Sequence, residues 1–98
     1  MPASPVQSGA TMTADGTFSI GTAAAVISAA GAARRIFKVQ NTHASQILYL
    51  GPSSAVSSTA YAWKLVAGAS VDLDGYNGAL YGYGSGASTT GAFIEVRE

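Results

Sequence analysis

From Thr17 onward the chain is written in short runs of alternating apolar and polar residues, broken at close intervals by glycine, proline, serine and asparagine. Thr17-Phe18-Ser19-Ile20 alternates and stops at Gly21. Ala24 to Ser28 is ambiguous: its alanines favour helix, while Val26, Ile27 and the glycines at 21 and 31 favour a short strand. Arg35 to Gln40 alternates with Phe37 and Val39 on one face and meets a polar turn, Asn41 to Ser45. Ile47-Leu48-Tyr49-Leu50 ends at Gly51-Pro52. Trp63 to Val66 and Ser70 to Leu73 flank Ala67-Gly68-Ala69 with the spacing of a hairpin. Leu80 to Tyr83 lies between Gly78 and Gly84, and Phe93 to Arg97 closes the chain. Strands this short and this frequent, with no convincing helix, predict an all-β domain. The expected fold is a small β-sandwich or jelly roll of seven to eight short antiparallel strands.

The period of two also predicts a core: Ile36 or Phe37, Val39, Leu48, Leu50, Leu65, Val71, Leu73, Leu80, Ile94 and Val96. Residues 1–16 carry no such pattern and are rich in Pro, Ser, Gly, Ala and Thr. They are expected to form an extended N-terminal arm, with 17–98 as the sandwich domain. An arm of this composition is held in place only when something ties it down, so it is expected against the domain or, preferably, a partner.

Composition sharpens this picture. At 98 residues the chain is short, and a domain of this size has a modest core. It has no cysteine, so disulfide staples and thiolate chemistry are excluded, and oligomerisation is the remaining common source of extra stability. Charged residues make up only 10% and the formal net charge is zero, which removes the electrostatic footprint for nucleic acid or anionic lipid. No stretch approaches the roughly 20 apolar residues of a membrane-spanning helix, and Met-Pro-Ala-Ser-Pro does not open like a secretory signal. The expectation is a chain made in the cytoplasm and engaging neither membrane nor nucleic acid.

Few residues are placed to do chemistry. His43 stands alone in its turn, with no acidic residue near it in sequence, and reads as a solvated turn residue. Asp72-Leu73-Asp74-Gly75 begins like a calcium loop, but Tyr76 replaces the third oxygen ligand and Asn77 the required glycine. A strand end running into a turn accounts for it. Gly82-Tyr83-Gly84-Ser85-Gly86 has neither the lysine nor the helix of a phosphate loop and reads as a flexible turn. No enzyme, metal or cofactor is expected. The aromatic residues say more: Tyr61 and Trp63 are expected on one strand face, and Tyr81 and Tyr83 on another. With Tyr76 these form the candidate interface, for subunit packing or for stacking on sugar rings. Arg34-Arg35 and the closing Glu95, Arg97 and Glu98 would pair across two strands if these lie side by side.

The stretches Arg34-Arg35-Ile36-Phe37-Lys38-Val39-Gln40-Asn41, Ile47-Leu48-Tyr49-Leu50-Gly51, Trp63 to Val71, Gly78 to Tyr81 and Ile94 to Glu98 together resemble a pattern common in small tailed-bacteriophage proteins. The resemblance covers about Arg34 to Glu98 and is to virion β-domains, among them capsid decoration (cement) proteins. It implies a structural protein of the virion surface, seated on the major capsid protein, often as a homotrimer, and stabilising the shell. It transfers no catalytic residues. Tail-tip and fibre domains share the look, so a receptor- or carbohydrate-binding module using Tyr61, Trp63, Tyr81 and Tyr83 is the alternative.

Overall fold

A computed structural model describes residues 11–29 and 34–97, and the side chains of 16–29 and 36–96. Among them there is no helix. Eight strands follow one another: β1 Thr11–Ile20, β2 Ala25–Ser28, β3 Arg34–Asn41, β4 Leu48–Gly51, β5 Trp63–Leu65, β6 Ser70–Asp72, β7 Leu80–Gly84 and β8 Thr89–Arg97. The ambiguous alanine-rich segment is thus a strand. Pairing in β1 begins at Thr11, so the sandwich takes in the last residues of the expected arm; residues 1–10 lie outside those described.

The strands form two antiparallel four-stranded sheets, sheet A in the order β1-β8-β3-β6 and sheet B in the order β2-β7-β4-β5. Within them β1 pairs with β8, β2 with β7, β3 with β6 and β4 with β5. Such nested pairs are what a two-stranded ribbon leaves when it is folded over, and the β3–β8 and β4–β7 ladders stitch its turns together. This is the jelly-roll form of the β-sandwich.

The core lies between the sheets: Phe37, Val39, Leu48, Leu50, Leu65, Leu73 and Leu80, all among the expected set. Burying each such side chain contributes on the order of 1.5–3 kcal/mol, which makes this cluster the main source of cohesion. Phe37 rather than Ile36 points inward, since Val39, two residues on, shares its face. Ile20, Tyr49 and Val56 are buried as well and were not expected. Val71 is half-buried against the cluster.

Three expectations fail. First, Ile94 and Val96 are not in the core. The register sets Glu95 opposite Phe37 and Phe93 opposite Val39, so the inward residues of β8 are Phe93 and Glu95. Glu95 is only 2% exposed and accepts a hydrogen bond from Ser28 Oγ at 3.0 Å, which ties β2 of one sheet to β8 of the other. The last strand does lie beside β3, but Arg97 falls opposite Arg34.

Second, Ala67-Gly68-Ala69 does not close a hairpin. β5 ends sheet B and β6 ends sheet A, so this turn carries the chain across the sandwich. Gly68 adopts a φ of 81°, open to glycine at no steric cost. The buried Asn41 clamps the crossing: its N–H donates to Ala69 O, its carbonyl accepts from Gly68 N–H, and its Nδ2 donates to Leu65 O at 2.8 Å.

Third, Gly82 and Gly84 are strand residues facing inward, not a flexible turn. A Cβ on Gly84 would lie 2.6 Å from the carbonyl oxygen of Ile20, so only glycine permits this approach of β1 and β7.

Candidate functional site

Two outer faces of the sandwich present groups that could engage another molecule. On sheet B the alternation of β7 turns Leu80, Gly82 and Gly84 inward and Tyr81 and Tyr83 outward. Tyr49 lies directly opposite Tyr83 and therefore shares that face. Its ring centroid is 6.2 Å from that of Tyr83 and 5.0 Å from that of Tyr61, both tilted, as aromatic pairs prefer. The β4–β5 connection folds back so that Tyr61 covers Tyr49, which is why a residue on an outer face is only 8% exposed. Val56 from the same connection packs over Gly51, where an added Cβ would meet it at 3.1 Å.

The result is a row of rings, Tyr83, Tyr49 and Tyr61, with Tyr81 two positions along β7. Val26 sits opposite Tyr81 and is 55% exposed. Lys64 is the charged neighbour, opposite Tyr49 on β5. Beside Tyr61 lies an apolar depression of about 250 Å³, lined by Gly51, Pro52, Val56, Ala60 and Ala62 among others, with no charged or amide side chain in its wall.

The expected aromatic set is therefore divided. Tyr61, Tyr81 and Tyr83 meet on the outer face of sheet B. Trp63 does not join Tyr61: it lies opposite the buried Leu50 and packs against the core, edge-on to Tyr76 with centroids 6.3 Å apart. Tyr76 in turn donates its hydroxyl to Ala79 O at 2.6 Å. The ring that joins the outer cluster instead is Tyr49. The period of two held the signal for it, since Tyr49 stands between two inward leucines.

On sheet A the outer face of the two central strands carries Ile36 and Lys38 from β3 and Ala92, Ile94 and Val96 from β8. Ile36 faces Val96 and Lys38 faces Ile94, so the apolar residues form one band along the sheet. A shallow hollow of about 360 Å³ crosses it, bordered by Lys38, Gln40, Asp72, Ala92 and Ile94. The charge at its margin is internally paired. Lys38 Nζ lies 3.1 Å from Asp72 and 3.5 Å from Asp74. The hydrogen bond and charge of Asp72, followed by those of Asp74, raise the Lys38 pKa. Asp74 Oδ1 also accepts the Phe37 N–H at 2.9 Å, and that bond, with Lys38 beside it, holds the carboxyl below its ordinary range.

The two aspartates thus extend the β3–β6 ladder and neutralise Lys38, a structural role. Among the described residues no group of three His, Asp or Glu side chains is placed to hold a metal ion. His43 is half-buried and organises its own turn: Nδ1 accepts the N–H groups of Ser45 and Gln46 at 3.0 and 2.9 Å. What the two faces offer is adhesive surface: rings and small apolar groups on one, a β-branched band with a neutralised margin on the other. Compared with known proteins, the chain matches no family model, no curated protein and no solved structure.

Proposed function

We propose that this chain is a structural virion protein of the capsid-decoration type, seated through the outer face of sheet A on the major capsid protein of a tailed phage. It would be made in the host cytoplasm and assemble as a homotrimer on the shell. The observation that carries the reading is the inverted face of β8: Glu95 points into the sandwich while Ile94 and Val96 point out beside Ile36. A contiguous apolar band on a small domain marks a surface that is covered in use. Among the described side chains, the cation flanking it, Lys38, is already matched by two carboxylates, so docking there would leave little unpaired charge to desolvate. The resemblance in the segments from Arg34 to Glu98 points the same way. Jelly rolls recur in viral capsid domains and equally in lectins, so the architecture alone does not choose.

The mechanism is passive. A ligand that binds only the assembled shell stabilises it by mass action, by about 2.7 kcal/mol per site at a concentration one hundred times its Kd. The carbohydrate-binding alternative is less well supported, because Trp63 and Tyr61 are parted and the wall of the hollow at Tyr61 offers hydroxyls, from Ser53 and Tyr61, but no charged or amide side chain.

The test is co-sedimentation of the purified chain with expanded tailed-phage capsids stripped of their own decoration protein, alongside a glycan array. Retention on capsids that is lost in Ile94→Asp supports the proposal. Glycan binding that survives Ile94→Asp, with no retention on capsids, overturns it.

A further inference from the structure

We infer that the free protein pairs with a second copy of itself through the outer edge of β1, strand against antiparallel strand about a two-fold axis. Each of the two sheets ends in two edge strands. β5 and β6 are three residues long, and β2 is four residues with a bulge; short or bulged edges keep other chains from adding to a sheet. β1 is ten residues long, and among the described residues β8 is its only strand partner. Its one irregularity lies between Met12 and Ala14, so Ala14 to Ile20 runs unbroken. Along such an edge, alternate residues turn both N–H and C=O away from the neighbouring strand. Another extended backbone is what satisfies a row of this kind. β1 contains no proline or lysine to prevent it, and Asp15 is its one charged residue.

The residues of β1 favour a second copy as that backbone. Phe18 and Ile20 face inward; Ile20 is 3% exposed, whereas Phe18 packs on the core and stays half-buried. The Phe18 ring lies over Gly91 of β8, where an added Cβ would collide with it, and its other flank meets no described strand. A two-fold axis perpendicular to the sheet keeps inward residues inward in both copies, so residues of like parity face each other. With Thr17 on that axis, Gly16 of the second copy falls opposite Phe18 and leaves room for the ring. Thr17 meets Thr17 of the second copy on the outer face, a favourable cross-strand pair. Asp15 falls opposite Ser19 of the second copy, about 14 Å along the strand from the other Asp15, so like charges stay apart. A net charge of zero adds no long-range repulsion between copies. The product is one continuous eight-stranded sheet that carries Ile36, Ile94 and Val96 of both copies on the same side. Each β1 edge is consumed in the pair and admits no third copy. This is therefore a state of the free chain, distinct from the threefold arrangement proposed on a shell.

The experiment is light scattering of the full-length chain across a concentration series, with amide hydrogen exchange read at both ends of it. A mass twice that of the single chain is expected at the concentrated end, with slower exchange in Ala14 to Ile20 than in the dilute sample. Thr17→Lys sets two like charges face to face on the axis and should return the mass to that of one chain. Ser19→Lys brings its charge opposite Asp15 of the second copy and should keep the dimer. Thr17 and Ser19 are both exposed, so neither change disturbs the core. A chain that stays monomeric throughout overturns the inference, and so does a dimer indifferent to Thr17→Lys, whose interface lies elsewhere. Equal loss in both lysine variants, the mark of general repulsion, overturns the Thr17-centred pairing. A trimer in solution overturns the inference and leaves the shell reading standing, whereas failure to bind capsids leaves the inference standing.

Discussion

The side-chain amide of Asn41 donates to the carbonyl of Leu65, 24 residues further on, at 2.8 Å, inside the sandwich. A second hydrogen of the same amide reaches Gln46 O at 2.8 Å, and its oxygen accepts the His43 N–H at 2.9 Å. One wholly buried polar side chain thereby satisfies the end of β3, the turn that follows it and the exit from β5. Buried polar groups of this kind are costly when half-satisfied and specify one arrangement when complete.

Asn41→Ala is accordingly expected to be among the most damaging single changes. It strands the Leu65 carbonyl in the interior and leaves the part-buried Gln46 carbonyl and His43 N–H without their partner, at about 1–3 kcal/mol for a buried group left unsatisfied. Urea unfolding should show a loss of about 1–3 kcal/mol, set chiefly by the stranded Leu65 carbonyl. A loss below about 0.5 kcal/mol would mean that water replaces the amide and that the clamp is dispensable.

Asp74 gives a pH dependence of definite sign. Its folded pKa is lowered from 3.8, chiefly by the Phe37 N–H, so its contribution is present above 3.8 and is lost as pH falls through the lower folded value. Thermal unfolding of Asp74→Asn, at neutral pH and again well below 3.8, should show a smaller acid-induced drop than the parent chain. The Lys38 pKa is raised from 10.5, so its contribution holds below 10.5 and fades as pH rises through the higher folded value.

Gly84→Ala tests the close approach of β1 and β7. The new methyl would press on Ile20 O and on the Thr89 side chain, which is itself fixed by a 2.6 Å hydrogen bond to Gln46 Oε1. Overpacking of this sort costs about 1–3 kcal/mol. Gly21→Ala, where an added Cβ meets nothing within 4 Å, serves as the control and should be nearly neutral.

Leu48→Ala and Ile94→Thr separate core from face. Leu48 is fully buried, and its truncation should cost about 2–5 kcal/mol. Ile94 lies on the outer face of sheet A and should change stability by about 0.5 kcal/mol or less in the isolated chain, as surface substitutions do. If Ile94→Thr destabilises as strongly as Leu48→Ala, the band is internal packing rather than a docking face.

The local pattern was sufficient to locate β3 to β8 and the second half of β1, because alternation and the turn residues that interrupt it are properties of a few neighbouring positions. It left Ala24 to Ser28 open between helix and strand and gave no sign of β1 before Thr17. It placed Val39 and Leu73 in the core, each between two polar residues, and Leu48, Leu50, Leu65 and Leu80 by the period of two. It was insufficient where both parities are apolar. Phe93-Ile94-Glu95-Val96 can turn either face inward on alternation alone. The choice was made by pairing with β3, whose own inward residues, Phe37 and Val39, bring Glu95 and Phe93 with them.

The same limit explains the aromatic residues and the false hairpin. Tyr61 and Trp63 are two positions apart, but Tyr61 precedes β5 and follows the loop over Tyr49, while Trp63 inherits its face from Leu50. Ala67-Gly68-Ala69 has the length of a hairpin turn, and its course between sheets is settled by Asn41. Alternation and turn chemistry are local and therefore legible in the chain. Register, sheet membership and the partner of a buried amide depend on strands brought together from afar, and only the folded sandwich decides them.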